Sequence, residues 1–193
     1  MIEVYDDILN TTEKDYIESF LTDNKFQWLL STTSNHYSVE SADTLKDGNE
    51  NTREFVLLAH VFYLNKIINS PNYLISDFVF SKFLERTQQP FNELLRAKAN
   101  LQIKTHITDR KIHSTPHIDF KESHKVLLYY VNDTDGNTVI FDRKRNDAKT
   151  RYNIVKEVEP KKGRFLLFDG DQYHAAKFPI DNDLRININY NFT

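Results

Sequence analysis

Residues 185–192 alternate strictly, with Ile186, Ile188, Tyr190 and Phe192 interleaved with Arg185, Asn187, Asn189 and Asn191. Successive side chains on a strand point to opposite faces, so this stretch predicts a strand with one apolar face and one wholly polar face. Leu101, Ile103 and Thr105 alternate with Gln102, Lys104 and His106 in the same way. Val126 to Val131 is an apolar run of strand length, closed by the turn-forming residues Asn132 to Asn137. Thr138–Phe141, Ile154–Val158 and Arg164–Phe168 read as further short strands. Many short strands separated by turns argue for a β-sandwich or jelly roll over the C-terminal half.

The N-terminal half reads as helical. Thr12 is placed to cap a helix whose stripe is Tyr16, Ile17, Phe20 and Leu21. A second helix is expected from near Thr52, carrying Phe55, Leu58, Ala59 and Phe62 and ending before Pro71. A third, with Val79, Phe80, Phe83 and Leu84, ends ahead of Pro90. The polar stretch from Ser31 to Asn51 is expected to be a loop. Helices followed by strands predict an α+β class with segregated layers. With 193 residues and no linker-like segment, we expect a single domain over 1–193, in which 1–97 is a mainly helical support and 98–193 carries the core.

Composition narrows the chemistry. There is no cysteine, which excludes disulfides, thiolate metal sites and cysteine nucleophiles. The formal net charge of -3 supplies no global attraction to nucleic acid or anionic membranes. Met1 to Asp7 lacks a basic segment followed by an apolar run, so no signal peptide is expected, and no apolar stretch approaches the length of a membrane span. The expectation is a cytoplasmic protein without a membrane partner.

The segment His117-Ile118-Asp119 bears most directly on function. On a strand, residues two apart share a face, so both polar side chains can reach one ion while Ile118 packs behind them. His174, far along the chain, adds a second imidazole. Two imidazoles and a carboxylate make the facial triad of non-haem iron(II) oxygenases, which leaves positions open for other ligands. A closed four-ligand site would hold zinc but leave no such room. Taken alone, a histidine near an aspartate is more often a surface pair, and a lone histidine more often structural. Arg185 opens the polar row of the last strand. That row either faces solvent or points into the barrel, where a planar guanidinium can bind a carboxylate through two parallel hydrogen bonds. Tyr130 could donate its hydroxyl to the same carboxylate, or serve as a core aromatic.

With these residues in place, the stretch from about 98 to 193 resembles the 2-oxoglutarate-dependent dioxygenase superfamily, and within it the prolyl 4-hydroxylase-like branch. His117, Ile118 and Asp119 match the His-X-Asp pair, and His174 matches the distal histidine. Leu128 to Asn132 is similar to the strand whose second tyrosine touches the cosubstrate. Asp135 to Phe141 is similar to the glycine-threonine-phenylalanine hairpin. Pro160 to Phe168 looks like the approach to the distal histidine, and Arg185 to Phe192 like the closing strand. Many relatives carry a tyrosine on the strand before the first histidine; here Thr105 to Asp109 offers no match.

The resemblance implies a double-stranded β-helix (jelly roll) core with supporting N-terminal helices. It implies Fe(II) held by His117, Asp119 and His174, 2-oxoglutarate held by Arg185 and Tyr130, and consumption of O2. The implied activity is hydroxylation of a peptidyl proline or a related substrate, with succinate and CO2 as coproducts.

Two other classes compete. A non-catalytic binding module could use the same fold. A metal-dependent hydrolase or cupin-like enzyme could use His113 and His117, with His106 and His124 nearby. Ser114-Thr115-Pro116 argues against a helical zinc motif there, and the extra histidines are expected in loops around the pocket mouth. The basic stretch Arg143, Lys144, Arg145, Lys149 and Arg151, with Lys161 and Lys162, is expected to be a solvated hairpin. A nucleic-acid partner is disfavoured because Asp142 and Asp147 interrupt the run.

Overall fold

The computed structural model describes residues 1–31, 52–53, 56–147 and 152–193. The expected loop from Ser31 to Asn51 lies outside these beyond its first residue, as do Phe55, Lys149 and Arg151. The elements, in chain order, are β1 (Ile2–Tyr5), α1 (Thr11–Thr22), β2 (Leu29–Ser31), β3 (Leu57–Leu64), β4 (Ile67–Ile68), α2 (Tyr73–Thr87) and β5 (Leu94–Ile103). They continue as β6 (Lys125–Tyr130), β7 (Thr138–Lys144), β8 (Ile154–Val158), β9 (Phe165–Asp169), β10 (Gln172–Ala176) and β11 (Leu184–Phe192).

Two antiparallel sheets make a sandwich. The large one runs β1-β9-β6-β11-β5-β3-β2, with β4 paired to β3, and the small one runs β10-β7-β8. The apolar face of β11 packs with Ile17, Leu21, Val79, Phe80 and Phe83 of the helices in the largest core cluster. A second cluster fills the space between the sheets with Val126, Leu128 and Tyr130 of β6, Ile140 of β7 and Leu166 and Phe168 of β9. β6 is buried on both faces, which is why its sequence is continuously apolar instead of alternating.

Three expectations need correcting. α1 is capped by Asn10, not Thr12: the Asn10 side chain accepts from the Glu13 N–H, and the Glu13 carboxylate accepts from the Asn10 N–H, a reciprocal capping box. The expected helix after Thr52 is instead strand β3. Its pairing with β5 shifts register between Val61 and Tyr63, and this bulge at Phe62 breaks the period of two. Leu58 and Phe62 pack with the largest core cluster while Ala59 is buried on the other face beside Asn100, and together they fall at a spacing that imitates a helix. Residues before 97 are accordingly not mainly helical, since they supply β1 to β4 and the start of β5 to the large sheet. The expected third helix is α2, which ends with Gln88 in the left-handed region, just ahead of Pro90.

Candidate metal centre and its pocket

His117 and Asp119 do not lie on a regular strand. His117 forms an isolated bridge with His174 of β10, each backbone N–H donating to the other's carbonyl at 3.0 Å. Ile118 is fully buried against Val139, Phe141, Tyr173 and Ala175, so it packs behind the pair as the tripeptide reading required. The bridge brings the three ligand candidates together: one donor atom from each of His117, Asp119 and His174 lies within 4.8 Å of the others. His117 Nε2 is 4.0 Å from Asp119 Oδ1, and His174 Nε2 is 3.9 Å from Oδ2.

The hydrogen bonds around the rings suit a cation. His117 Nδ1 meets the Thr115 carbonyl at 3.0 Å, and His174 Nδ1 meets that of Gln172 at 3.2 Å. A carbonyl can only accept, so Nδ1 carries the proton and each Nε2 turns its lone pair toward the centre. Burial keeps both imidazoles neutral: His174 is pushed down to about 3 by burial and by His117, and His117 is lowered mainly by burial. For Asp119, burial opposes the charge, but Arg96, His174, His117 and the Asn191 amide outweigh it and hold the carboxyl well below its usual range. Two neutral imidazoles and one ionised carboxylate are the protonation states that a divalent ion requires.

Asp119 is held from behind. Arg96 Nη2 donates to Oδ1 at 2.8 Å, while Asn191 and Asn189 donate to Oδ2 at 2.8 and 3.1 Å. Arg96 Nε also donates to Asn191 Oδ1 at 3.0 Å, closing a ring of three residues.

The triad lines a cavity of about 70 Å³, space for several water-sized groups and so for a small organic acid. Arg185, Asn187 and Asn189 of β11 line it too, so the polar row points inward. Arg185 is 3% exposed and, among the described residues, donates only to neutral acceptors: the Gly136 carbonyl (2.6 Å), Gln102 Oε1 (2.8 Å) and Thr138 Oγ1 (2.9 Å). Gly136 sits so close that an added Cβ would fall 2.8 Å from Arg185 Cδ. The Tyr130 hydroxyl donates to Thr138 Oγ1 at 2.7 Å, and its ring lies under the Arg185 guanidinium. Tyr130 does not itself line the cavity; Thr138 does.

Sequence reasoning missed the neighbouring strand of the same wall. Lys98, Asn100 and Gln102 of β5 line the cavity, and Arg96 continues the same row. The signal was available, because Arg96, Lys98, Asn100 and Gln102 recur every second residue just as the polar row of β11 does. The other histidines stand apart. His113 and His124 are buried but absent from the cavity wall, and His106 is exposed. In the basic stretch Lys144 pairs with Asp169 and Asp171, and of the two lysines nearby Lys161 pairs with Glu159 and Lys162 with Asp15 and Glu18.

No family profile matches the chain, and no curated protein matches it in sequence. The fold does match solved structures. An oxidoreductase of the 2OG-Fe(II) oxygenase family from Burkholderia pseudomallei superposes with a TM-score of 0.66 at 9% identity, over 100% of this chain and 85% of that one. The non-heme alpha ketoglutarate dependent epimerase SnoN from nogalamycin biosynthesis gives 0.63 at 11% identity, over 100% and 78%. A prolyl hydroxylase from Trichoplax adhaerens gives 0.58 at 12% identity, over 99% and 83%. The architecture is thus the double-stranded β-helix of the Fe(II)/2-oxoglutarate oxygenases, and at these identities the likeness speaks for fold alone.

Proposed function

We propose that this chain is an iron(II)- and 2-oxoglutarate-dependent oxygenase. One observation carries the reading: a His-Asp-His cluster with inward-facing Nε2 atoms shares a small buried cavity with a guanidinium that has no anionic partner among the described residues. His117, Asp119 and His174 would hold the metal, which when bound supplies dioxygen activation coupled to decarboxylation of the keto acid. Arg185 would take the distal carboxylate of 2-oxoglutarate, because a buried cation left without a counter-charge is strongly disfavoured. Its three neutral hydrogen bonds hold the guanidinium plane ready for that ligand. Tyr130 would support this through Thr138, whose hydroxyl it holds at the cavity wall. Burial raises the Tyr130 pKa, so the phenol keeps its proton and continues to donate.

For the substrate, hydroxylation of a peptidyl proline is the first reading, supported by the likeness to the Trichoplax prolyl hydroxylase. Transformation of a small molecule is the second, supported by the likeness to the epimerase SnoN. A metal-dependent hydrolase is disfavoured, because Arg185 would then lack a purpose. The test is uncoupled turnover: with Fe(II) and oxygen, the chain should convert 2-oxoglutarate to succinate, and Asp119→Ala should abolish it. No succinate, together with metal binding indifferent to the keto acid, would remove the proposal. Proline-containing peptides and small acceptors, followed for a gain of one oxygen by mass, separate the two substrate readings.

A further inference from the structure

Lys98 is the charged group of the cavity for which the proposed function has no use. It is 6% exposed, lines the cavity beside the triad, and has no hydrogen-bond or ion-pair partner among the described residues. Burial, and then the neighbouring Arg96, push its pKa down to about 7. Three further polar atoms of the same walls are buried without partners: Asn100 Oδ1, Gln102 Nε2 and Asn189 Oδ1. Such groups are rare in a settled interior unless something else completes them.

The charges around the cavity do not balance. Asp119 is the only carboxylate among the described lining residues, and Arg96 already opposes it. Lys98 and Arg185 are both left over, and a divalent metal adds to the excess. The two cations sit at opposite ends: Lys98 pairs across the sheet with Asn189, which donates to Asp119, whereas Gln102 pairs with Arg185. Four residues of strand separate these positions, roughly 13 Å of backbone, with the small cavity lying between the two side chains.

We propose that Lys98 is a second carboxylate-binding group, holding an acid beside the metal triad while Arg185 holds one at the far end. This inference rests on the oxygenase reading. The acid has two possible sources with one chemistry: the keto-acid end of 2-oxoglutarate, or a carboxylate on the primary substrate. Lysine suits the position because its ammonium is a compact charge on a flexible stem, able to serve a carboxylate whose second contact is the metal.

The test uses the full chain loaded with Ni(II), comparing wild type, Lys98→Met and Lys98→Arg by calorimetric titration. In the first arm 2-oxoglutarate is titrated. At least tenfold weaker binding in Lys98→Met, with recovery in Lys98→Arg, assigns the keto-acid end. In the second arm acetate is titrated into protein saturated with 2-oxoglutarate. Acetate binding that wild type shows and Lys98→Met lacks assigns the primary substrate. If 2-oxoglutarate affinity stays within twofold and acetate behaves alike in both proteins, the assignment is overturned. Thermal melting distinguishes this from misfolding, since removing a buried unpaired amine should leave the melting temperature unchanged or raise it. Wild type failing to bind 2-oxoglutarate at all would instead sink the oxygenase reading; acetate titrated into the Ni(II)-loaded protein alone then still reads Lys98.

Discussion

Arg96 shows how a single buried side chain shapes this centre. Its guanidinium neutralises Asp119 from behind, stacks over the Phe120 ring and anchors Asn191. Removing one partner of a buried ion pair leaves the other uncompensated, at a cost of about 3–5 kcal/mol. Arg96→Met should therefore destabilise the metal-free chain by that order. A bound divalent cation should recover part of the loss, because it replaces the missing counter-charge; urea unfolding with and without Ni(II) reads both. Equal destabilisation in the two conditions would mean that Arg96 acts by packing alone. Arg185 behaves differently, because its acceptors are neutral and it touches none of the metal candidates. A single charge-assisted hydrogen bond contributes about 1.5–3 kcal/mol, so Arg185→Ala should raise the 2-oxoglutarate requirement by at least about tenfold to a hundredfold. Metal affinity should stay close to wild type, and an equal loss of both would contradict the assigned role.

At the scale of elements, the helices act as a lid on the large sheet. Phe83 of α2 is fully buried between Tyr5 of β1 and Phe165 of β9, with ring centroids at 5.4 and 5.2 Å. Phe83→Ala should cost about 3–5 kcal/mol in urea unfolding. Because it lies on the helix side of the sheet and the triad lies between the sheets, Ni(II) affinity of the folded variant should remain within a few-fold of wild type. A collapse of metal binding in still-folded protein would reveal a coupling across the sheet that the packing does not suggest. The strands nearest the centre were legible because their alternation or continuous apolarity follows directly from one or two buried faces. β3 was not, because it buries apolar residues on both faces and bulges at Phe62, so that Leu58, Ala59 and Phe62 fall at helical spacing. β10 was missed as well: five residues around a histidine carry too little periodicity, and its place depends on pairing with β7.

For the whole molecule, burial of neutral imidazoles ties stability to pH. His60, His113 and His124 are all lowered, each chiefly by burial, and His60 is fixed between the Gln27 carbonyl and Ser70 Oγ at 2.7 Å each. A folded pKa below the unfolded value means that the unfolded chain takes up the proton first. Their stabilisation is complete above about pH 6.5 and declines as pH falls toward the folded values, by at most about 1.4 kcal/mol per pH unit for each group. The metal-free chain should thus show a lower urea midpoint at pH 5.5 than at pH 7.5, and equal midpoints would refute the buried-neutral assignment. The depressed carboxyls of Asp6, Asp135 and Glu157 act lower, their contribution lasting until pH falls through the carboxylate range. What the amino-acid order determined by itself was the set of strands with plain periodicity, the apolar faces they bury, and the residue types that can hold a cation and a diacid. Only the folded chain decided which side each polar row faces, because period two gives two faces and sheet packing chooses between them. The same packing brought Arg96 and Lys98 to the centre, since their neighbours there come from strands far apart in sequence and no local pattern encodes that meeting.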